Sequence, residues 1–483
     1  MPFSSSVDPK DPIDQQPTIG IIGMGLMGSM YANRLSAAGW KKIHVCDQRK
    51  NYESLQERYR DIPGVTVYRD GHGVSRSSDF IMYSVEAEFV DRVVAEYGPS
   101  TKLNAIVAGQ TSVKAPEKAA FEKYLPADTS IVSCHSLHGP TVNPVGQPLV
   151  LIKHRAPESD LLLVENILRC FGSRYVYLSY DEHDIVTANT QAVTHMAFLS
   201  MGTAWACSAA YPWEQGLYVG GIETVKVNLA LRIFSNAWHV YAGLAIMNPQ
   251  AREQINQYAQ SATELFKMMV VAGTTGTDGG ESAAERERKL RDRVEWGRRI
   301  VFGDVGNGEG TQKKRRRPIL LSEALLDRFS LGRIPTSEEN GSGSKTGYRP
   351  NSHLSLLAMV DCWAHLNIKP FLHLSLAATP LFRLFLGVAE HLFLSSSLLE
   401  ASIHSAIYDT WHRSDDLEFV VAARGWSQCV RFGSFEVYRQ RFDETRQFFE
   451  GRFAEAGVLG SEMIKTVMES KVEEDEGLSM SST

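Results

Sequence analysis

Residues 18–28 read Thr18-Ile19-Gly20-Ile21-Ile22-Gly23-Met24-Gly25-Leu26-Met27-Gly28, and this stretch decides the fold. A short β-branched run ends at a G-x-G-x-x-G loop, and a helix-forming segment from Leu26 to Ala38 follows. Strand, glycine loop and helix in that order separate a dinucleotide fingerprint from a chance cluster of glycines. Gly23 permits the tight turn, Gly25 lets the backbone approach a pyrophosphate, and Gly28 lets helix and strand pack closely. Met24, Leu26 and Met27 complete the loop, and the free N–H groups at the helix start face the phosphates.

The next strand signal, KIHVCD, ends at Asp47, about twenty residues past the loop, where an acid typically bonds the ribose 2′-hydroxyl of NAD. Arg49 and Lys50 follow and suit the 2′-phosphate of NADP instead. On these residues alone NAD and NADP both stay open.

Outward from the loop, the runs VTVYR, FIMYSV, AIVAGQ, SIVSCHS and RYVYLSY alternate with helical stretches as far as Tyr180. Such alternation predicts an α/β Rossmann-type, doubly wound parallel sheet over residues 18–180. After Asp181 the pattern turns to 3.6-residue periodicity, predicting an all-α C-terminal domain: a helical substrate and dimerisation part over 181–272 and a helical extension over 351–469. Residues 273–350, with the basic run Lys313–Arg317 and the Gly/Ser stretch Gly341–Gly347, read as a flexible insertion, and residues 1–17 and 470–483 as disordered tails. No internal repeat is evident.

The 50 Lys+Arg against 56 Asp+Glu give a net charge of -6, which offers no basic excess for nucleic acid or anionic lipid. Six cysteines without a C-x-x-C pair fit reduced thiols and a cytoplasmic protein rather than a disulfide frame or a zinc site. The N-terminal segment has no apolar core of a secretion signal. The apolar run Leu372–Leu399 is broken by Pro380, Arg383, Glu390 and His391, which predicts a buried helix pair and no membrane span. Apolar helices in such number predict a homodimer.

Hydride-transfer chemistry on a hydroxyl needs a base and groups that hold substrate anions. His135 and His138 stand at the end of SIVSCHS, and a strand's carboxyl end is where open α/β sheets bind ligands. In the second part, QAVTH places His195 at the start of what reads as an amphipathic helix, and Arg232 is the one charge within NLALRIF. A satisfied core histidine and an arginine laid along the surface remain the plain alternatives.

The ordered set GMGLMG, GQTSVK (109–114), HSLHGP (135–140), EHD (182–184), QAVTH (191–195) and the Arg232 helix resembles prephenate dehydrogenase. The segments NSHLSLLAMVDCW (351–363) and PLFRLFLGVAEHLF (380–393) are similar to the fungal enzymes of tyrosine biosynthesis. The resemblance covers nearly the whole chain. It implies that His135 draws off the C4 hydroxyl proton of prephenate as hydride leaves C4, with CO2 and 4-hydroxyphenylpyruvate as products. It further implies that Ser112 orients that histidine, that Arg232 clamps a substrate carboxylate, and that His195 lines the substrate pocket and is linked to feedback by L-tyrosine. It tips the cofactor toward NADP. Two departures stand out: many bacterial relatives have HPM where this chain has His135-Ser136-Leu137, and an acid where it has Gly109. No segment resembling a fused chorismate mutase precedes the glycine loop, so one activity is expected.

Three rivals remain. Arogenate dehydrogenase differs only in an amino in place of a keto acid. A β-hydroxyacid dehydrogenase would need a lysine with an asparagine one turn on, whereas Lys226 and Asn228 are two residues apart and face differently. A non-catalytic NADP sensor would have no use for His135, Ser112 and Arg232 together.

Overall fold

The computed structural model describes residues 3–275, 281–303, 318–320, 322–333, 350–377 and 379–480. The chain forms two compact units, Met1–Thr187 with Leu376–Ala378, and Ala188–Ser375 with Thr379–Thr483.

In the first unit β1 (Ile19–Ile22), β2 (Ile43–Cys46), β3 (Val65–Val67), β4 (Phe80–Tyr83), β5 (Ile106–Gly109), β6 (Ser130–Ser136), β7 (Pro148–Arg155) and β8 (Arg174–Tyr177) make one sheet of order β3-β2-β1-β4-β5-β6-β7-β8. Strand order reverses between β1 and β4, the place where open α/β sheets bind ligands. Both faces of the sheet are covered, so β1, β4 and β5 are buried at every position and read as unbroken apolar runs. Tyr31, Leu35 and Ile167 pack on one face, and Val94, Ala120 and Phe121 on the other.

One strand departs from the expected parallel pattern. PLVLIKHR forms β7, antiparallel to β6, because the link from Leu137 to Gln147 carries no helix and a short link can only turn the chain back. Two of the segments expected to be loose are packed instead. Val7 lies in the core, and the Gln16 side chain donates to the Pro9 and Asp11 carbonyls and accepts from the Lys41 N–H, each at 2.9 Å. Within the presumed insertion, Ala283–Phe302 is a helix opened by a Ser282/Glu285 capping box and anchored by buried Leu290, Val294 and Val301. Its Arg/Glu composition belongs to the exposed face of an amphipathic helix. The runs Lys313–Arg317 and Gly341–Gly347 lie outside the described residues. At the C-terminus the last helix, Phe453–Met480, continues through residues 470–480, which were expected to be tail.

The second unit is helical. Its helix Val193–Cys207 is buried on all sides from Val193 to Trp205, so it is a central core helix rather than an amphipathic one. A π-helical turn, Ala188–Ala192, leads into it. Among the described residues no single helix is long and apolar enough to cross a membrane; Pro380–Leu394 and Ser396–Tyr408 meet at an 88° bend, and the first of them is largely buried.

Candidate active site

Two of the three loop glycines are required by the chain itself. Gly23 has φ +101°, and a Cβ there would overlap the Ser84 carbonyl; a Cβ on Gly28 would overlap the Gly23 carbonyl. Around Gly25 a Cβ would meet nothing within 4 Å. That open space at the start of the helix Leu26–Ala38 is what a pyrophosphate needs.

Asp47 is already engaged. One carboxylate oxygen accepts the Met24 N–H at 3.0 Å, and the other accepts the Gln48 N–H at 2.6 Å and the Asn51 amide at 3.2 Å. The acid thus ties the end of β2 to the glycine loop. Beside it Arg49, 72% exposed, reaches Asp70 at 3.2 Å, and Lys50 is exposed. Two cations stand where a 2′-phosphate would need them.

β1, β4, β5 and β6 run parallel, so the glycine loop and His135 share the carboxyl edge of the sheet. Tyr31, on the loop's helix, bonds Ser136 at 2.7 Å, and Gln110 accepts the Ser136 N–H at 3.0 Å. His135 is buried, with Nδ1 2.8 Å from Nε2 of His183, whose Nδ1 lies 2.9 Å from Asp184. Asp184 also accepts the Lys114 and Ala115 N–H groups at 2.7 and 2.8 Å, which fixes it at the start of the helix Ala115–Tyr124.

These contacts determine the tautomers. Burial pushes His135 and His183 well below the usual histidine range, with His183 and Lys114 adding to the effect on His135, so both rings are neutral. A carboxylate beside His183 Nδ1 requires the proton there, leaving Nε2 as an acceptor. His135 Nδ1 must then donate to His183, and His135 Nε2 carries a lone pair. The array Asp184, His183, His135 presents a base.

Ser112, which the resemblance made the orienting residue, is half-buried and makes no hydrogen bond to His135. His183 takes that role. The EHD run contained His183 and Asp184, but a motif gives no distance, and the helix Tyr180–Thr187 that brings them to β6 was not foreseeable from spacing.

A second array missed by the sequence lies beneath. Lys114 and Glu117 are fully buried and paired at 2.8 Å; Lys114 also donates to Gly109 O, Ser133 and Cys134 O, and Glu117 accepts from Thr111, Ser133 and Tyr180. Such saturation is what makes a buried ion pair tolerable. It also explains Gly109: a Cβ there would overlap the Glu117 carboxylate. The acid that many bacterial relatives carry at this strand position is here supplied from the following helix.

His195 and Arg232 belong to the second unit. His195 is pushed down to about 3 by burial, meets Tyr241 edge-on at 4.8 Å, and with Met196, Leu199, Leu244 and Tyr438 lines a small hollow. Arg232 is half-buried on the last turn of the helix Gly221–Ser235, and among the described residues its guanidinium has no ion pair. It lies near Tyr241: burial raises that hydroxyl to about 12, while Asn236 and Arg232 act against the rise. The structure therefore brings His195, Tyr241 and Arg232 into one neighbourhood.

A glycine-loop Rossmann sheet with a neutral, carboxylate-anchored histidine on its carboxyl edge, joined to an all-helical unit, defines a nicotinamide-dependent dehydrogenase. Residues 192–469 match a family described as a 6-phosphogluconate dehydrogenase C-terminal domain, and residues 18–107 match NADP oxidoreductase coenzyme F420-dependent. The chain is 49% identical over 93% of its length to a probable prephenate dehydrogenase [NADP(+)] of Schizosaccharomyces pombe, covering 97% of that protein. It is likewise 49% identical to the prephenate dehydrogenase [NADP(+)] of Saccharomyces cerevisiae, over 93% of this chain and 94% of that protein. Arogenate dehydrogenase 2, chloroplastic, of Arabidopsis thaliana is 31% identical over 56% of this chain and 77% of its own. The chain belongs to the prephenate dehydrogenase family.

Proposed function

We propose that this protein converts prephenate to 4-hydroxyphenylpyruvate and CO2 with NADP, in tyrosine biosynthesis. The observation that carries the reading is the Asp184, His183, His135 array, which leaves one unprotonated nitrogen on the sheet edge that bears the glycine loop. The bound nicotinamide supplies the acceptor for the hydride that leaves C4. His135 Nε2 takes the hydroxyl proton, the C4–O bond becomes a carbonyl, and the electrons of the departing ring carboxylate restore the aromatic phenol as CO2 leaves. Arg232 holds a substrate carboxylate, and His195 with Tyr241 lines the pocket for the ring. L-Tyrosine, with the same hydroxyphenyl group and a carboxylate, is the natural competitor there. Free cysteines and the composition support a cytoplasmic enzyme. The test is steady-state turnover of prephenate and arogenate with NADP and with NAD. Prephenate with NADP should give the highest kcat/KM; a preference for arogenate would move the substrate assignment.

Asp184→Asn should lower kcat by about 10³-fold, because an amide beside His183 Nδ1 no longer enforces the tautomer that leaves His135 a base. A pH profile separates this from a packing defect, since only loss of the tautomer displaces the acid limb. Replacing Arg49 and Lys50 together by Ser should raise KM for NADP about 30-fold, about 2 kcal/mol, and leave KM for NAD unchanged. Parallel titrations with the two nucleotides measure it.

A further inference from the structure

The expectation that the chain has no repeat is overturned by the helical unit. THMAFLSMGTAW (Thr194–Trp205) and SHLSLLAMVDCW (Ser352–Trp363) share His, Leu, Met and Trp at matching positions, and both tryptophans are buried. The helices that follow, Gly221–Ser235 and Pro380–Leu394, are each 15 residues long, with Ala230 matching Ala389, Phe234 matching Phe393, and Arg232 falling at His391. Three more helices follow in each half: His239–Met247, Pro249–Ala272 and Ala283–Phe302 in one, and Ser396–Tyr408, Arg413–Phe432 and Phe435–Phe449 in the other. Few identities survive between the halves, which is why inspection of the sequence missed the repeat.

The packing is reciprocal. The first helix of each half packs on the fourth and fifth helices of the other, and the second and fourth helices meet their own counterparts. Thr203, in the first half, bonds Trp426 at 3.0 Å and Thr445 at 3.2 Å in the second. Its counterpart Asp361, in the second half, bonds Arg293 of the first at 2.5 Å. Contacts in which i meets j and j meets i mark a two-fold interface.

The halves differ at the matched histidines. His195 faces the hollow with Tyr241, and the second half adds Tyr438, whose buried hydroxyl has no partner among the described residues. His353 instead sits against Glu223 at 3.2 Å and Lys226 at 3.3 Å, and His391 against Glu323 at 3.0 Å.

We propose that residues 193–449 are two copies of a five-helix motif folded together as a dimer within one chain. The second copy completes the first copy's pocket with Tyr438, while ion pairs close its own equivalent around His353 and His391. The expected homodimer is thereby replaced by a chain that carries its own partner, with one site. The part played by Tyr438 rests on the functional reading above; the duplication does not.

Three measurements on the full chain test it. Sedimentation should give the mass of one chain, with specific activity unchanged on dilution; a mass of two chains, or activity lost on dilution, would overturn the internal dimer whatever the enzyme's substrate. Titration with 4-hydroxyphenylpyruvate should saturate at one per chain; two would show the second pocket open, and none would overturn the pocket assignment. Tyr438→Phe keeps the ring and should raise KM for prephenate about tenfold, with kcat within about twofold. An unchanged KM would remove Tyr438 from the site.

Discussion

His135→Asn is expected to lower kcat by about 10³-fold and to leave KM for prephenate within about threefold. Asparagine retains a donor near the Nδ1 position, so the contact to His183 survives, but nothing replaces the Nε2 lone pair. A histidine that served packing alone would give the opposite pattern, a loss of stability with kcat preserved. The pH dependence follows from the same burial. Because His135 titrates well below the ordinary histidine value, the base stays competent through neutrality, and kcat/KM falls only as pH drops toward that lowered value. The fold responds over an overlapping range. His135, His183 and His195 are buried neutral, while in the unfolded chain each binds a proton below about 6.5. Their contribution to stability is complete above that pH and is lost as pH falls toward the depressed values. Rates and thermal melts recorded at each pH keep the two effects apart.

Arg232→Lys is the second large effect: KM for prephenate should rise about 50-fold, about 2.3 kcal/mol, with kcat changed much less. The guanidinium is half-buried and without an ion pair among the described residues, so the protein does not spend it on its own carboxylates. A planar carboxylate can take two parallel hydrogen bonds from it, which a lysine cannot reproduce. An arginine that merely lays its stem along the surface would tolerate the change with KM unmoved, and steady-state kinetics with varied prephenate decides between them.

The cofactor half was legible in the sequence because its constraints are local. Gly23 and Gly28 are demanded by backbone geometry a few residues away, and Gly25 by the space it leaves. His135 was legible for the same reason, as a polar residue at the end of an apolar strand. What escaped notice depends on contacts distant in sequence. Asp47 reads as a ribose ligand but spends its oxygens on Met24, Gln48 and Asn51. His183 reaches His135 from 48 positions further along the chain, and Glu117 fills the space above Gly109 from the next helix. The repeat was hidden because two-fold packing constrains shape and burial, while Thr203 and Asp361, at matching positions, fulfil the same role with different chemistry.

The central claim is that one active site couples hydride removal at C4 to loss of the ring carboxylate. Its most direct test is a mass balance on a single reaction of the full chain with prephenate and NADP. NADPH, CO2 and 4-hydroxyphenylpyruvate should appear in equal amounts and at equal rates. NADPH formed without CO2, or no NADPH at all, would contradict the account.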